Sequence, residues 1–218
     1  DKRGSKGLFI DKIEEALLHD EIQLAVHSMK EMPDTSDERL SFSKAWKRED
    51  PRDVLILKNA SSLDGLRSGA VIATGSKRRA CQLLKLKPDI KVRNIRGNVD
   101  TRIRLLKEGM PDGSPIDGII LAAAGLKRLG RESEITAYFS FDEMIPAPAQ
   151  GILAIEFKKS DTDLAEKLDM LHDPASEAAA YLERGFLKEI GAGCHAPVGA
   201  IAEYHDGRYH LRVLYGDE

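Results

Sequence analysis

Apolar residues form two patterns at the start of the chain. They recur at helical spacing across residues 10–18, and residues 22–26 form a short apolar segment. The first pattern predicts an amphipathic helix and the second a short buried strand. A polar break around residue 48 precedes the next apolar strand, which we expect at 54–57.

The middle of the chain alternates between short apolar segments and helical patterns. In chain order these predict a strand at 70–74, a helix at 77–86, a strand at 90–95, a helix at 99–108, a strand at 118–122 and a helix at 123–129. The strand segments are almost entirely apolar, which is typical of a sheet covered by helices on both faces. The region is therefore predicted to be an α/β domain.

The last third of the chain predicts a strand, two helices and a hairpin. We expect the strand at 151–157 and the helices within 162–190, with Pro174 opening the second helix. A glycine-containing loop around Cys194 follows. Residues 198–203 and 209–213 then predict a hairpin.

Charge is distributed unevenly along the sequence. The 218 residues carry a net charge of −3, yet residues 77–104 contain ten basic and two acidic side chains, a local charge of +8. A concentrated cationic segment in an acidic protein indicates a local anion site. The net acidity and the aromatic content of 6% argue against nucleic-acid binding.

The lengths of the apolar runs and the number of cysteines indicate where in the cell the protein is expected. No run approaches the roughly 20 residues needed to span a bilayer, and the polar first residues do not resemble a signal peptide. We therefore expect a cytoplasmic protein without a membrane partner. Cys81 and Cys194 are far apart in sequence, so neither a disulfide framework nor a metal site is expected.

Two basic clusters follow predicted strands and open predicted helices. Arg78 and Arg79 belong to the first, and Arg96 and Arg102 to the second. In α/β proteins anions bind at such strand ends and helix N-termini, and guanidinium groups can grip carboxylates or phosphates in bidentate fashion. The sequence contains neither of the glycine patterns typical of nucleotide sites, which disfavours a nucleotide.

Cys194 and the pair Lys30-Glu31 are further candidates for chemistry. Small neighbours surround Cys194, so it is either a reactive thiol or a structural cysteine in a turn, and spacing alone does not decide between them. Glu31 follows a predicted strand, where a carboxylate could act as a general acid or base. Adjacent Lys and Glu residues are, however, commonly solvated surface charges.

Strings spread over nearly the whole chain resemble the porphobilinogen deaminase family. They are Lys6-Gly-Leu-Phe, Ala25-Val-His-Ser-Met-Lys30, Arg48-Glu-Asp-Pro-Arg-Asp53, Ser76-Lys-Arg-Arg79, Ile95-Arg-Gly-Asn-Val-Asp-Thr-Arg102, Ile119-Ile-Leu-Ala-Ala-Ala-Gly-Leu-Lys-Arg-Leu-Gly130 and Gly193-Cys194. The resemblance implies a monomeric transferase of haem (tetrapyrrole) biosynthesis. Such an enzyme condenses four porphobilinogen molecules into hydroxymethylbilane and releases ammonia at each step.

The resemblance also implies roles for individual residues. A dipyrromethane cofactor, the primer of the reaction, is joined by a thioether to the cysteine that matches Cys194. Glu31 matches the carboxylate that contacts the pyrrole nitrogens, assists departure of the amino group and stabilises the cationic intermediate. The other matches are polar contacts: Lys6, Ser28, Lys30, Arg78 and Arg79 to the cofactor, and Arg96, Arg102, Arg128 and Gln150 to the substrate, with Gln150 on a hinge-region strand.

The implied fold has two domains resembling type II periplasmic binding proteins and a small α/β C-terminal domain. We expect domain 1 at 1–48, with 147–165 returning to it, domain 2 at 49–146 and domain 3 at 166–218. Family sequences begin several dozen residues earlier, so domain 1 is expected to be incomplete and to lack a further arginine and serine of the site. Domain 3 is expected to be shortened.

One residue departs from the family pattern in a way that bears on activity. Glu31 stands where the family usually has Asp, and its side chain is one methylene longer. Small displacements of a catalytic group can be costly, so slow turnover is expected. The alternative that remains open is a polycarboxylate- or pyrrole-binding protein of the same lineage with little or no turnover.

Overall fold

The computed structural model describes residues 5–32, 37–191 and 196–216, with side chains of the first helix described from residue 10 onward. Helices and strands alternate along much of the described chain. They are α1 (Ser5–Leu18), β1 (Leu24–Ser28), β2 (Leu40–Phe42), β3 (Asp53–Leu57), β4 (Val71–Ala73), α2 (Lys77–Leu86), β5 (Lys91–Arg93), α3 (Val99–Glu108), β6 (Gly118–Ala122), α4 (Ala123–Arg128), β7 (Ala137–Tyr138), β8 (Leu153–Lys158), α5 (Thr162–Asp169), α6 (Pro174–Glu189), β9 (Val198–His205) and β10 (Arg208–Tyr215).

The larger sheet has five strands in the order β5-β4-β6-β3-β7. Strands β5, β4 and β6 are parallel, and β3 runs antiparallel to β6. Side chains of β3 alternate between the two faces: Val54 and Ile56 pack with α3 and α4, whereas Leu55 packs with Leu83 of α2. The predicted α/β sheet with helices on both faces is confirmed, and most predicted boundaries differ from the structure by one or two residues.

A smaller antiparallel sheet has the order β1-β8-β2. The expected buried strand at 22–26 is wrong in two respects, because β1 covers Leu24–Ser28 and the side chains of Leu24 and Val26 are 38% and 58% exposed. The physical reason is its place in the sheet. Within the described residues β1 pairs with β8 alone, and only its Ala25 face packs against α1.

Two chain segments cross closely between the sheets. The amide of Glu49 donates to the carbonyl of Gly151 at 3.2 Å, and a Cβ on Gly151 would lie 2.3 Å from the Glu49 carbonyl oxygen. Ala149 and Gly151 have φ angles of 58° and 92°. Such left-handed residues interrupt an extended strand, so β8 begins at Leu153 rather than at 151, and Gln150 lies in a turn rather than on the expected strand.

The C-terminal part contains α6 and a hairpin. Asp173 caps α6 by accepting from the amide of Ser176, and Pro174 occupies the first turn as expected. The hairpin is confirmed and is longer than expected, with its turn at Asp206 and Gly207, whose φ angles of 51° and 79° suit a tight two-residue turn. Helix α6 packs against β9. The domain boundaries at 48, 146 and 165 stay a prediction.

None of the helices in the described part of the chain is both long enough and apolar enough to cross a membrane.

Candidate active site

A single turn of 3₁₀ helix at the end of β1 carries Lys30 and Glu31. The amide of Met29 donates to the carbonyl of Ile152 at 3.0 Å, which fixes the start of the turn to the segment before β8. The amide of Met32 donates back to the carbonyl of Met29 at 3.1 Å and closes the turn. Glu31 is exposed, so its carboxylate is accessible from solvent.

Asp53 is the centre of a buried charge network. Its carboxylate is fully buried and accepts from Arg78 Nη1 at 2.6 Å and from Arg79 Nη2 at 2.7 Å. Burial alone would raise the pKa of Asp53, but the charges and hydrogen bonds of Arg78 and Arg79 outweigh it and hold that pKa well below its usual range. Asp53 is therefore ionised and fixes both guanidinium groups.

Helix α2 presents these two arginines because Ser76 caps its first turn, accepting from the amide of Arg79. Arg78 also donates to the carbonyl of Ile145, and Arg79 to that of Ile120. Both arginines were expected to grip cofactor carboxylates, yet here their first partners are Asp53 and backbone carbonyls. Direct contact between Arg78 or Arg79 and a ligand stays a prediction.

Gln150 joins the arginine network to the turn at the end of β1. It is fully buried, its Nε2 donates to Asp53 Oδ1 at 2.8 Å and to the Pro51 carbonyl at 2.7 Å, and its Oε1 accepts from Lys30 Nζ at 3.1 Å. Burial lowers the pKa of Lys30 to about 8, and the charge of Arg79 acts in the same direction. The Lys30 ammonium is therefore half deprotonated near pH 8 and mostly neutral above it.

Three further arginines were expected in the site, and contacts link two of them, Arg102 and Arg128, to this part of the molecule. Arg102 is near enough to Arg79 and Glu31 to be affected by both charges, although burial is the main cause that lowers the pKa of Arg102. Arg128, at the end of α4, donates from Nη2 to the Gly151 carbonyl at 2.6 Å. Arg96 is exposed in the loop that opens α3.

Two expected site residues cannot be placed. Cys194 and the side chain of Lys6 lie outside the described residues, so the expected thioether anchor and the Lys6 contact stay predictions. Ser28 is the last residue of β1 and adjoins the turn that carries Lys30.

Sequence reasoning missed the acidic residues that hold the site together. Asp53 was recognised only as part of a string, although a carboxylate at the start of an apolar strand is a signal for a buried partner. Glu183 on α6 was missed as well. It is fully buried, binds Arg48 through both oxygens at 2.6 and 3.0 Å, and accepts from the amides of Ala149 and Ala202.

The chemical character of the site is an excess of fixed positive charge. The cations Lys30, Arg78, Arg79, Arg102 and Arg128 outnumber the carboxylates Asp53 and Glu31. Such a site can hold a ligand that bears several carboxylates, with one acidic side chain, Glu31, accessible beside it.

Comparison with solved structures finds matches of low similarity. The Bordetella pertussis BvgS periplasmic VFT2 domain is 15% identical, with a TM-score of 0.44, and the match covers 81% of this chain and 72% of that one. An ancestral arginine-binding protein bound to arginine is 16% identical, with a TM-score of 0.40, over 83% of this chain and 76% of that one.

Sequence comparisons give much stronger matches. A porphobilinogen deaminase of Lachnospira eligens is 56% identical over 99% of this chain and 72% of its own length. One of Clostridioides difficile is 47% identical over 100% of this chain and 71% of its own length. The family model "Porphobilinogen deaminase, dipyromethane cofactor binding domain" matches residues 1–166, and "Porphobilinogen deaminase, C-terminal domain" matches 178–217. The chain therefore belongs to the porphobilinogen deaminase family, transferases of tetrapyrrole biosynthesis with a dipyrromethane cofactor.

Proposed function

We propose that this chain condenses four porphobilinogen molecules into hydroxymethylbilane and releases one ammonia at each condensation. The observation that carries the proposal is the network in which Gln150 joins Lys30 to the Asp53–Arg78–Arg79 cluster. In this network cations outnumber carboxylates, and its member Lys30 directly precedes the catalytic candidate Glu31. Family membership supplies the reaction class, and the network supports the assignment of residues to it.

The residues fit a dipyrromethane cofactor. Its acetate and propionate groups are anions, and a site where buried cations outnumber carboxylates favours them. When bound, the dipyrromethane supplies the primer on which the pyrrole chain is built. Lys30 and Ser28, with the charges of Arg78 and Arg79 behind them, would hold the cofactor. Cys194 would anchor it covalently, with Lys6 as a further polar contact.

Arg96, Arg102 and Arg128 would bind the carboxylates of incoming substrate, since they are more exposed than Arg78 and Arg79. The side-chain amide of Gln150 is already hydrogen-bonded to Lys30, Asp53 and the Pro51 carbonyl, so it stabilises the position of Lys30. We assign Gln150 to holding Lys30 in place rather than to direct substrate contact.

Glu31 would act on the reacting centre. Its accessible carboxylate can accept hydrogen bonds from pyrrole N–H groups and stabilise the positive charge that develops on the substrate as ammonia leaves. Glu31 lies near enough to Lys30 and Arg102 for its charge to affect both of them. The turn at the end of β1 thus places the Glu31 carboxylate near cations. Glu31 can then accept hydrogen bonds from the pyrrole N–H groups while the cations bind the carboxylates of cofactor and substrate.

The proposal extends to the molecular setting. The family resemblance favours a monomer acting on a small-molecule substrate, and the net charge of −3 and aromatic content of 6% disfavour nucleic acid as a partner. We also expect no membrane partner. Cys81 is a free thiol, and a thioether at Cys194 requires a reduced thiol at that position as well. Reduced thiols are typical of the cytoplasm, where we place the protein.

Ammonia release from porphobilinogen tests the proposal. We expect release by the unaltered chain, a loss of about 100-fold or more in kcat for Glu31→Gln, and no change for Glu132→Gln, an exposed control. Porphobilinogen binding without ammonia release would favour the non-catalytic alternative. Full activity of Glu31→Gln would refute the role given to Glu31.

A further inference from the structure

Helix α6 reaches the turn that carries Glu31 through a residue that no sequence signal singled out. Arg184 Nη1 donates to the carbonyl of Met29 at 3.1 Å and to the carbonyl of Met32 at 3.2 Å. These two carbonyls bracket Lys30 and Glu31. One nitrogen therefore holds both ends of the catalytic turn.

The turn has little stability of its own. It is one short 3₁₀ segment closed by a single backbone bond from Met32 to Met29, and Ser28 gives it no side-chain cap. Short 3₁₀ turns have poor hydrogen-bond geometry and depend on their surroundings. Here the surroundings are the bond from Met29 to Ile152 on one side and the Arg184 guanidinium on the other.

The chemistry of these bonds favours a rigid turn. A guanidinium donor makes charge-assisted hydrogen bonds, which are stronger than bonds between neutral groups. Its planar fork is pre-organised, whereas a lysine ammonium is a compact charge on a flexible stem. Arg184 follows Glu183 in sequence, and Glu183 is itself fixed by Arg48, so the base of the Arg184 side chain is held firmly.

We propose that Arg184 is a positioning residue for Glu31, through which the third domain sets the geometry of the catalytic turn. The proposal rests on the proposed role of Glu31. It assigns Arg184 no contact with substrate. Without Arg184 the turn samples other conformations, and the Glu31 carboxylate spends less time where the substrate charge develops.

The test compares Arg184→Ala with Lys188→Ala, which removes an exposed charge one turn further along α6. In hydrogen–deuterium exchange, Arg184→Ala should speed exchange of the Met29 and Met32 amides, while the amides of β8 keep their protection. In ammonia-release assays kcat should fall about 100-fold, as expected for a misplaced catalytic group, with KM changed less than about threefold. Arg184→Lys should retain part of the kcat that Arg184→Ala loses, and millimolar guanidinium added to Arg184→Ala should restore part of it. Lys188→Ala should match the unaltered chain in every assay.

The exchange measurement keeps this proposal separate from the proposed function. If the unaltered chain releases no ammonia, the function fails, while exchange at Met29 and Met32 still tests the positioning role. Unchanged exchange at these amides, an unchanged kcat, or equal loss of protection across β8 would each overturn the assignment of Arg184.

Discussion

The ion pair between Arg48 and Glu183 gives the sharpest stability prediction. Glu183 is fully buried and Arg48 has only 11% of its side chain exposed. The carboxylate accepts two bonds from the guanidinium and one each from the amides of Ala149 and Ala202. Glu183→Gln keeps the shape, but its amide nitrogen is a donor and must face a guanidinium or backbone N–H that also donates.

The expected loss can be sized from this geometry. Removing one partner of a buried ion pair leaves the other charge uncompensated, which costs about 3–5 kcal/mol. For a chain of this length, each kcal/mol shifts the melting temperature by about 2–4 °C. Glu183→Gln should therefore lower Tm by about 10 °C.

Urea denaturation and thermal melting of the unaltered chain, Glu183→Gln and Glu189→Gln provide the assay. Glu189 is exposed at the end of the same helix, so its variant should stay within about 0.5 kcal/mol. A double-mutant cycle with Arg48→Gln should give a coupling of about 1 kcal/mol or more. A loss below about 1 kcal/mol for Glu183→Gln, or strict additivity in the cycle, would refute the reasoning.

Three other residues give pH- or length-dependent predictions. Burial raises the pKa of Glu156 to about 7 from its ordinary 4.5, so the folded state holds the proton more tightly than the unfolded chain does. The resulting contribution to the free energy of unfolding is complete below pH 4.5 and is lost as the pH rises to 7, a decline of about 3 kcal/mol. Glu156→Gln should remove this decline in urea titrations at several pH values, and an unchanged pH profile would contradict the prediction. Because Lys30 has a pKa near 8, KM for porphobilinogen should rise above pH 8, and Lys30→Arg should move that rise to higher pH; identical profiles would count against the charge. Glu31→Asp should raise kcat about tenfold by restoring the shorter side chain, and an equal or lower kcat would show that the extra methylene does not limit the rate.

Glu156 also shows how burial changes an apparent ion pair. Its Oε2 lies 3.0 Å from His27 Nε2. Burial lowers the pKa of His27 and raises that of Glu156, and the nearby charge of Glu14 only partly offsets the effect on His27. Both shifts disfavour the charged forms, so the contact has more of the character of a neutral hydrogen bond than of a salt bridge.

Much of the fold follows from local sequence signals. The apolar strand segments predicted β3, β4 and β6, and turn residues predicted the hairpin of β9 and β10, because these features depend on periodicity and on φ preferences of nearby residues. The misplaced β1 and the late start of β8 depend on long-range facts instead. These are the edge position of β1 and the close crossing at Gly151.

The site was predictable in its charge but not in its pairing. The basic segment indicated an anion site, and the family resemblance supplied Glu31 and Gln150. The sequence could not reveal that Arg78 and Arg79 donate hydrogen bonds to the Asp53 carboxylate, because these arginines are 25 and 26 residues away from Asp53 along the chain. The Arg48–Glu183 pair spans 135 residues, and no local pattern encodes such a contact.

The central claim, a pyrrole cofactor held at this cationic site and anchored by Cys194, is tested most directly by the intact mass of the purified chain from a host that makes porphobilinogen. We predict a covalent adduct of two pyrrole units that is lost in Cys194→Ala and retained in Cys81→Ala, which removes the other cysteine of the sequence. An unmodified mass for the unaltered chain, or an adduct that survives Cys194→Ala, would contradict the account.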